Sequence, residues 1–223
     1  MRQHVNPLSK YFQEIEAIPK IDQIFKNSVL PIHLDIGCAS GEFLFHLAEN
    51  NKNWNYLGVE IREKLIINAK RKLKEKDIDN LYFIFGNADN LLKNWIVQYP
   101  NKMLESASIN FPDPWFKKKH HKRRIIQTEF LNRLSLIMSN KSLLFLKSDV
   151  EELYQYMNSV ISNSLIFEKV KNKNLNYLDT FNPSKIKTTR EQYAKSKQLT
   201  IYETIYKKII NVLLYLQFFL LFV

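Results

Sequence analysis

Only one cysteine, Cys38, occurs among the 223 residues. A single thiol closes no intramolecular disulfide and builds no cysteine zinc site, which suits a reducing, cytoplasmic compartment. The polar start, Met1 to Pro7, contains no apolar stretch, so a secretory signal is not expected. Internal repeats are absent. Long hydrophobic runs are missing too, except Ile209 to Val223, which is nearly all apolar. That run is shorter than the roughly 20 residues a helix needs to cross a bilayer, Asn211 and Gln217 interrupt it, and no stop-transfer charges follow. It reads as a packed terminal helix or a sticky tail in preference to a membrane contact.

Acidic residues are outnumbered. Against 22 Asp+Glu stand 33 Lys+Arg, a net charge of +11, and an excess of this size favours polyanionic partners such as nucleic acid or an acidic membrane surface. The 45% hydrophobic content supports one good core. A single domain over 31–208 is therefore expected, with an N-terminal segment at 1–30 and the apolar tail at 209–223.

Short apolar runs alternate with amphipathic stretches from residue 31 onward, the pattern of an α/β domain with a mostly parallel sheet flanked by helices. Strands are expected at Ile32 to Ile36, Tyr56 to Ile61, Leu81 to Phe85, Ser108 to Phe111, Ser142 to Leu146, Ile166 to Val170 and Leu199 to Tyr206. Helical spacing links Phe43, Leu44, Leu47 and Ala48, then Leu65, Ile66, Ala69 and Leu73, a weaker set near Leu91 to Val97, then Phe130 to Met138 and Leu153 to Ile161. The polar stretch Lys171 to Gln198 is too long for an ordinary connection and is a candidate functional loop.

The first chemical constellation is the strand, turn and helix start Leu34-Asp35-Ile36-Gly37-Cys38-Ala39-Ser40-Gly41, with Glu60 ending the next strand. Gly37 and Gly41 allow close backbone approach, and an acid at the end of the second strand can accept both ribose hydroxyls of an adenosine moiety. A dinucleotide site needs G-x-G-x-x-G, but Ala39 stands at the middle glycine. Asp35 would repel a phosphate and suits a cationic sulfonium ligand and its amino group. S-adenosyl-L-methionine is thus favoured over NAD. Asn87 is a candidate for the adenine edge or, equally, for a helix cap.

The second constellation, Asn110-Phe111-Pro112-Asp113-Pro114-Trp115, is followed by Phe116 and a basic run from Lys117 to Arg124. It follows the fourth strand, and ligands of open α/β sheets sit beyond the carboxyl ends of strands. The two prolines restrict the backbone around Asp113. The cations can neutralise phosphates, and Trp115 can stack on a base or pack under the loop. His120 and His121 are adjacent and face different ways, so no metal is expected.

Asp35 to Gly41, Glu60, the PDPW segment with its basic tail, Lys147-Ser148-Asp149, and Thr188-Thr189-Arg190-Glu191 followed by Ile201-Tyr202-Glu203 together resemble the tRNA (guanine-N7)-methyltransferase family over about residues 30 to 208. The resemblance implies a Rossmann-like class I methyltransferase fold and methyl transfer from S-adenosyl-L-methionine to N7 of guanosine 46 in the variable loop of tRNA. It implies that Asp35, Gly37, Gly41, Glu60, Asn87 and Asp113 surround the cofactor, with Asp113 also catalytic. Lys117, Asp149, Thr188, Thr189, Arg190 and Glu191 would contact the RNA or its guanosine. Local alternatives stay open: Asp149 as a helix N-cap and Thr188 to Glu191 as a capping box.

Asp35 stands where the family commonly has Glu, Phe116 replaces a proline, and Arg190 an aromatic residue. The departures at Phe116 and Arg190 leave a second reading open, an RNA-binding module that kept the fold and lost activity.

Overall fold

Strands buried on both faces of a parallel sheet must be apolar along most of their length. Strands β1 (Ile32–Ile36) and β2 (Asn55–Glu60) meet that demand and are buried at every position. In the computed structural model, which describes residues 5–12, 18–99, 104–171 and 181–209, they join β3 (Leu81–Phe85), β4 (Leu104–Asn110), β5 (Met138–Ser148), β6 (Phe167–Lys169) and β7 (Tyr202–Lys208). The sheet has seven strands in the order β3-β2-β1-β4-β5-β7-β6. Pairing is parallel from β3 through β5, and β7 runs antiparallel to both its neighbours.

Helices cover both faces: α1 (Ile21–Ile24), α2 (Glu42–Asn50), α3 (Glu63–Lys74), α4 (Ala88–Gln98), α5 (Thr128–Ile137), α6 (Glu151–Asn163) and α7 (Thr189–Ser196). The period of two along β2 sorts the core. Leu57 and Val59 pack in one cluster with Leu92, Trp95 and Phe130, whereas Tyr56 belongs to another with Phe43, Leu44 and Ile66. Ile18, Ile21 and Phe25 join the first cluster, so residues before 31 contribute to the main core.

Several boundaries differ from expectation. Met138 extends the apolar stripe of α5 in sequence, yet it is the first residue of β5. Ending there leaves the last carbonyls of the helix without helical partners. The buried ammonium of Lys208 fills that gap, donating to Ser135 O at 2.5 Å and Met138 O at 2.7 Å. The polar stretch after β6 contains α7 instead of being loop throughout. Among the described residues no helix is long and apolar enough to cross a membrane. The apolar tail from residue 210 onward lies outside the described residues.

Candidate active site

The strand order reverses between β1 and β4, and a cleft opens at the carboxyl ends of β1, β2 and β4. It encloses about 800 Å³, part of it open to solvent. Gly37, Glu60, Arg62, Asn87, Asn110 and Asp113 are among its walls.

The turn after β1 folds around Glu60. Gly37 has φ 82° and a Cβ there would meet nothing within 4 Å, so the backbone faces open space. Gly41 has φ 79°, and its Cβ would lie 2.4 Å from Phe83 Cζ, so what approaches it is the core and not the cleft. Ala39 also adopts positive φ, 51°, and its N–H donates to Glu60 Oε2 at 3.0 Å. Among the described residues the other donors to Glu60 all come from Arg62: its backbone N–H and Nε each reach Oε1 at 3.0 Å, and Nη2 reaches Oε2 at 2.9 Å. These bonds to Glu60 raise the Arg62 pKa, and the field of Asp113 adds to the effect.

Asp35 lies one layer below the cleft, 3% exposed. Ser108 Oγ donates to its Oδ1 at 2.5 Å and Asn110 Nδ2 donates to the same atom at 3.2 Å. Burial pushes the carboxyl up to about 6; the Ser108 and Asn110 bonds pull it down, and Glu60 pushes it further up. Asn87 is the N-cap of α4, its Oδ1 accepting from Asp89 N at 2.9 Å, while its Nδ2 donates to Pro7 O at 2.9 Å. Pro7 and Val5 thereby form a wall of the cleft.

The PDP loop is held from behind. Phe111 and Trp115 take positive φ on either side of it, at 52° and 47°. Arg124 is 4% exposed; its Nε donates to Pro114 O at 2.9 Å, its Nη2 to Glu152 Oε1 at 2.8 Å, and its guanidinium lies 4.7 Å above the Tyr156 ring. The expectation that the whole run Lys117 to Arg124 meets phosphates is thus corrected at Arg124, whose cation is used inside the protein. Lys117, Lys118, Lys119 and Lys122 are exposed. Trp115 packs within the loop, with Arg123 5.0 Å from its ring and His120 edge-on.

On the other side of β4, Asp149 does not cap α6: Val150 is the N-cap, without a side-chain bond. The Asp149 side chain, 1% exposed, is ion-paired with Arg190 Nη2. Thr188 caps α7, accepting from Glu191 N at 3.0 Å, and Thr189 is exposed. Glu191 is bonded to Lys147 and Lys195, each at 2.8 Å. Burial works to raise its pKa, but the two lysines outweigh burial and lower it. Lys117 stands exposed at the start of a 3-10 turn, Lys118–Arg123.

The cleft brings together Gly37, Glu60, Asn87 and Asp113, with Asp35 beneath; Gly41 turns away, and Asp149 with Thr188 to Glu191 forms a separate ion-paired group. Arg62 and Ser108 were missed. Lys147 was read only as part of the Lys147-Ser148-Asp149 motif; a lysine directly after the apolar run Leu143 to Leu146 was the signal for its buried ion pair. Among the described residues no group of three or more His, Cys, Asp or Glu is placed to hold a metal.

A family model described as "Putative methyltransferase" matches residues 30–204. The chain is 55% identical over 209 residues to a tRNA (guanine-N(7)-)-methyltransferase of Prochlorococcus marinus subsp. pastoris (strain CCMP1986 / NIES-2087 / MED4), covering 94% of this chain and 100% of that one. A protein of the same name from strain MIT 9313 is 41% identical over 208 residues, 93% of this chain and 88% of its own. Among solved structures, the 16S rRNA methyltransferase KamB superposes with a TM-score of 0.59 at 11% identity, covering 85% of this chain and 91% of that chain. The aminoglycoside resistance methyltransferase NpmB1 gives 0.54 at 12% identity, with 85% and 90% covered. At such identities the likeness is one of fold.

Proposed function

The chain belongs to the tRNA (guanine-N(7)-)-methyltransferase family, and on that premise we infer that the cleft at the ends of β1, β2 and β4 is where S-adenosylmethionine meets its guanine acceptor. The protein is an S-adenosylmethionine-dependent enzyme with a class I methyltransferase fold, and it methylates N7 of a guanosine in tRNA. Guanosine 46 of the variable loop is the proposed target position.

The chain's residues fit the cofactor. Gly37 offers backbone to open space, and the acids at Asp35 and Glu60 suit a cationic amino group and a ribose diol where a phosphate would be repelled. When bound, the cofactor supplies an electrophilic methyl group on a cationic sulfur. Guanine N7 carries a free lone pair in the neutral base, so no general base is required, and the protein's task is to hold the acceptor in line at attack distance.

One observation carries this reading: Gly37, Glu60, Asn87 and Asp113, singled out from separate motifs, line one cleft. Asp113 sits between two prolines in a loop whose Pro114 carbonyl is clamped by buried Arg124. Its carboxylate can stabilise positive charge developing on the purine, or grip the guanine donor edge, with little reorganisation. Lys117 and its exposed neighbours supply phosphate affinity; Asp149, Thr188, Thr189 and Arg190 are the proposed contacts to the guanosine, with Glu191 tying that segment to β5 through Lys147.

Methyl transfer from labelled S-adenosylmethionine to unmodified tRNA, followed by reduction and aniline cleavage at 7-methylguanosine, tests the reading. Asp113→Ala loses turnover by about a hundredfold or more while keeping most tRNA binding. An unchanged rate would remove Asp113 from the mechanism, and absence of cleavage with the wild-type protein would remove the reaction.

A further inference from the structure

Below the cleft runs a line of hydrogen bonds that the chemistry above leaves unused. His33 lies two residues before Asp35 on β1, so the two side chains share a face of the sheet. His33 is wholly buried, among Phe43, Tyr56 and Phe181. Its Nδ1 is 2.7 Å from Ser106 Oγ and its Nε2 3.0 Å from Ser108 Oγ. Both serines are buried on the adjoining strand β4.

The proton positions follow from counting donors. A hydroxyl has one proton, and Ser108 gives its proton to Asp35 Oδ1. Toward His33 it can therefore only accept, so the imidazole proton is on Nε2. The bare Nδ1 then accepts from Ser106. Burial lowers the His33 pKa to about 3, so the ring is neutral and this tautomer completes the account. Every donor from Ser106 through His33 and Ser108 points the same way, and each bond polarises the next. The line ends on one carboxylate oxygen.

We infer that Ser108 and His33 are positioning residues for the methyl donor, fixing the Asp35 carboxylate so that it receives the cofactor's cationic amino group. The inference rests on the cofactor reading of the cleft. Among the described residues Asp35 has no ion pair; what faces it is neutral or anionic. His33 is on its own strand, Ser108 and Asn110 on β4, Glu60 at the end of β2, and Cys38 in the turn, a thiol that burial pushes well up. Hydrogen bonds are thus the main support for the charged form, and losing one makes Asp35 harder to ionise.

Affinity for S-adenosylmethionine, measured by calorimetry from about pH 5 to about pH 8, separates this role from packing. Wild-type affinity falls as pH drops through the Asp35 range near 6. Ser108→Ala binds about tenfold more weakly at neutral pH and its acid limb moves upward. Ser108→Thr restores both, since it keeps the hydroxyl. Ser106→Ala, one link further from the acid, moves the limb less and in the same direction, which preserves the test if Ser108→Ala fails to fold. A Ser108→Ala protein that melts lower yet keeps the wild-type affinity and limb would overturn the inference. Wild-type protein that binds no S-adenosylmethionine would instead overturn the reading of the cleft.

Discussion

Two buried acids at the same end of the sheet are held in opposite ways. Asp35 on the β1 side and Glu191 on the β5 side are exposed by only 3% and 6%. Asp35 receives hydrogen bonds from a hydroxyl and an amide and its carboxyl rises to about 6, whereas Glu191 sits between two lysines and falls. Burial alone does not set charge; the partner's charge does. An acid held by neutral donors stays responsive to an incoming cation. One already neutralised by the chain is part of the scaffold, here tying α7 to β5 through Lys147.

The contrast can be tested from either side. The largest effect is expected at Lys147→Met, which leaves Glu191 with only the half-exposed Lys195. Denaturant unfolding should show a loss of about 3 kcal/mol, and much of it should return when Glu191→Leu is added. Persistence of the loss in the double variant would mean that the pair does not dominate there. Next comes Asp35→Asn, which keeps the shape and removes the charge: cofactor affinity should fall by about 10- to 100-fold while the melting temperature holds or rises. A melting temperature that collapses with affinity intact would reverse the roles assigned to the two acids.

Acid titration of stability gives a smaller signal with opposing parts. His33, depressed to about 3, contributes stability that is fully present above 6.5 and is lost as pH falls from 6.5 toward about 3. Its slope approaches about 1.4 kcal/mol per pH unit. Glu191, also depressed, loses its contribution as pH falls below the ordinary carboxylate range. Asp35 is raised, so its contribution is full at low pH and is lost as pH rises through about 6. Stability should therefore fall more gently between about pH 6 and pH 4 in the wild type than in Asp35→Asn; equal slopes would mean that Asp35 does not take up a proton there. The smallest effect belongs to Lys195→Ala, whose pair is half exposed: under about 1 kcal/mol by the same unfolding measurement.

The same two regions differ in how far the sequence exposed them. Parallel strands announce themselves because both faces are buried, so β1 to β3 fell within a residue or so of their apolar runs. The glycine turn, Glu60 and the proline-flanked Asp113 were legible as motifs because their backbone demands are local. Helix α7 was not. Its sequence, TREQYAKS, has no apolar stripe, and among its residues only Glu191 and Ala194 are buried, one of them through an ion pair. Two partners of the acids were equally silent. Ser108 looks like any strand serine until β4 is laid beside β1, and Arg62 reaches back to Glu60 across a bend that periodicity does not describe.

The antiparallel strand also bears on how the chain is made. Among the described residues β6 is hydrogen-bonded to β7 alone, and β7 in turn fills the edge of β5. On a ribosome, strands β1 to β5 emerge in an order that lets each find a neighbour already delivered. β6 then emerges with no edge to join, and β5 waits with open hydrogen-bonding groups until residues 202–208 arrive. The Lys208 cap of α5 comes at the same moment, so the arrival of β7 both closes the sheet and finishes a helix made some seventy residues earlier.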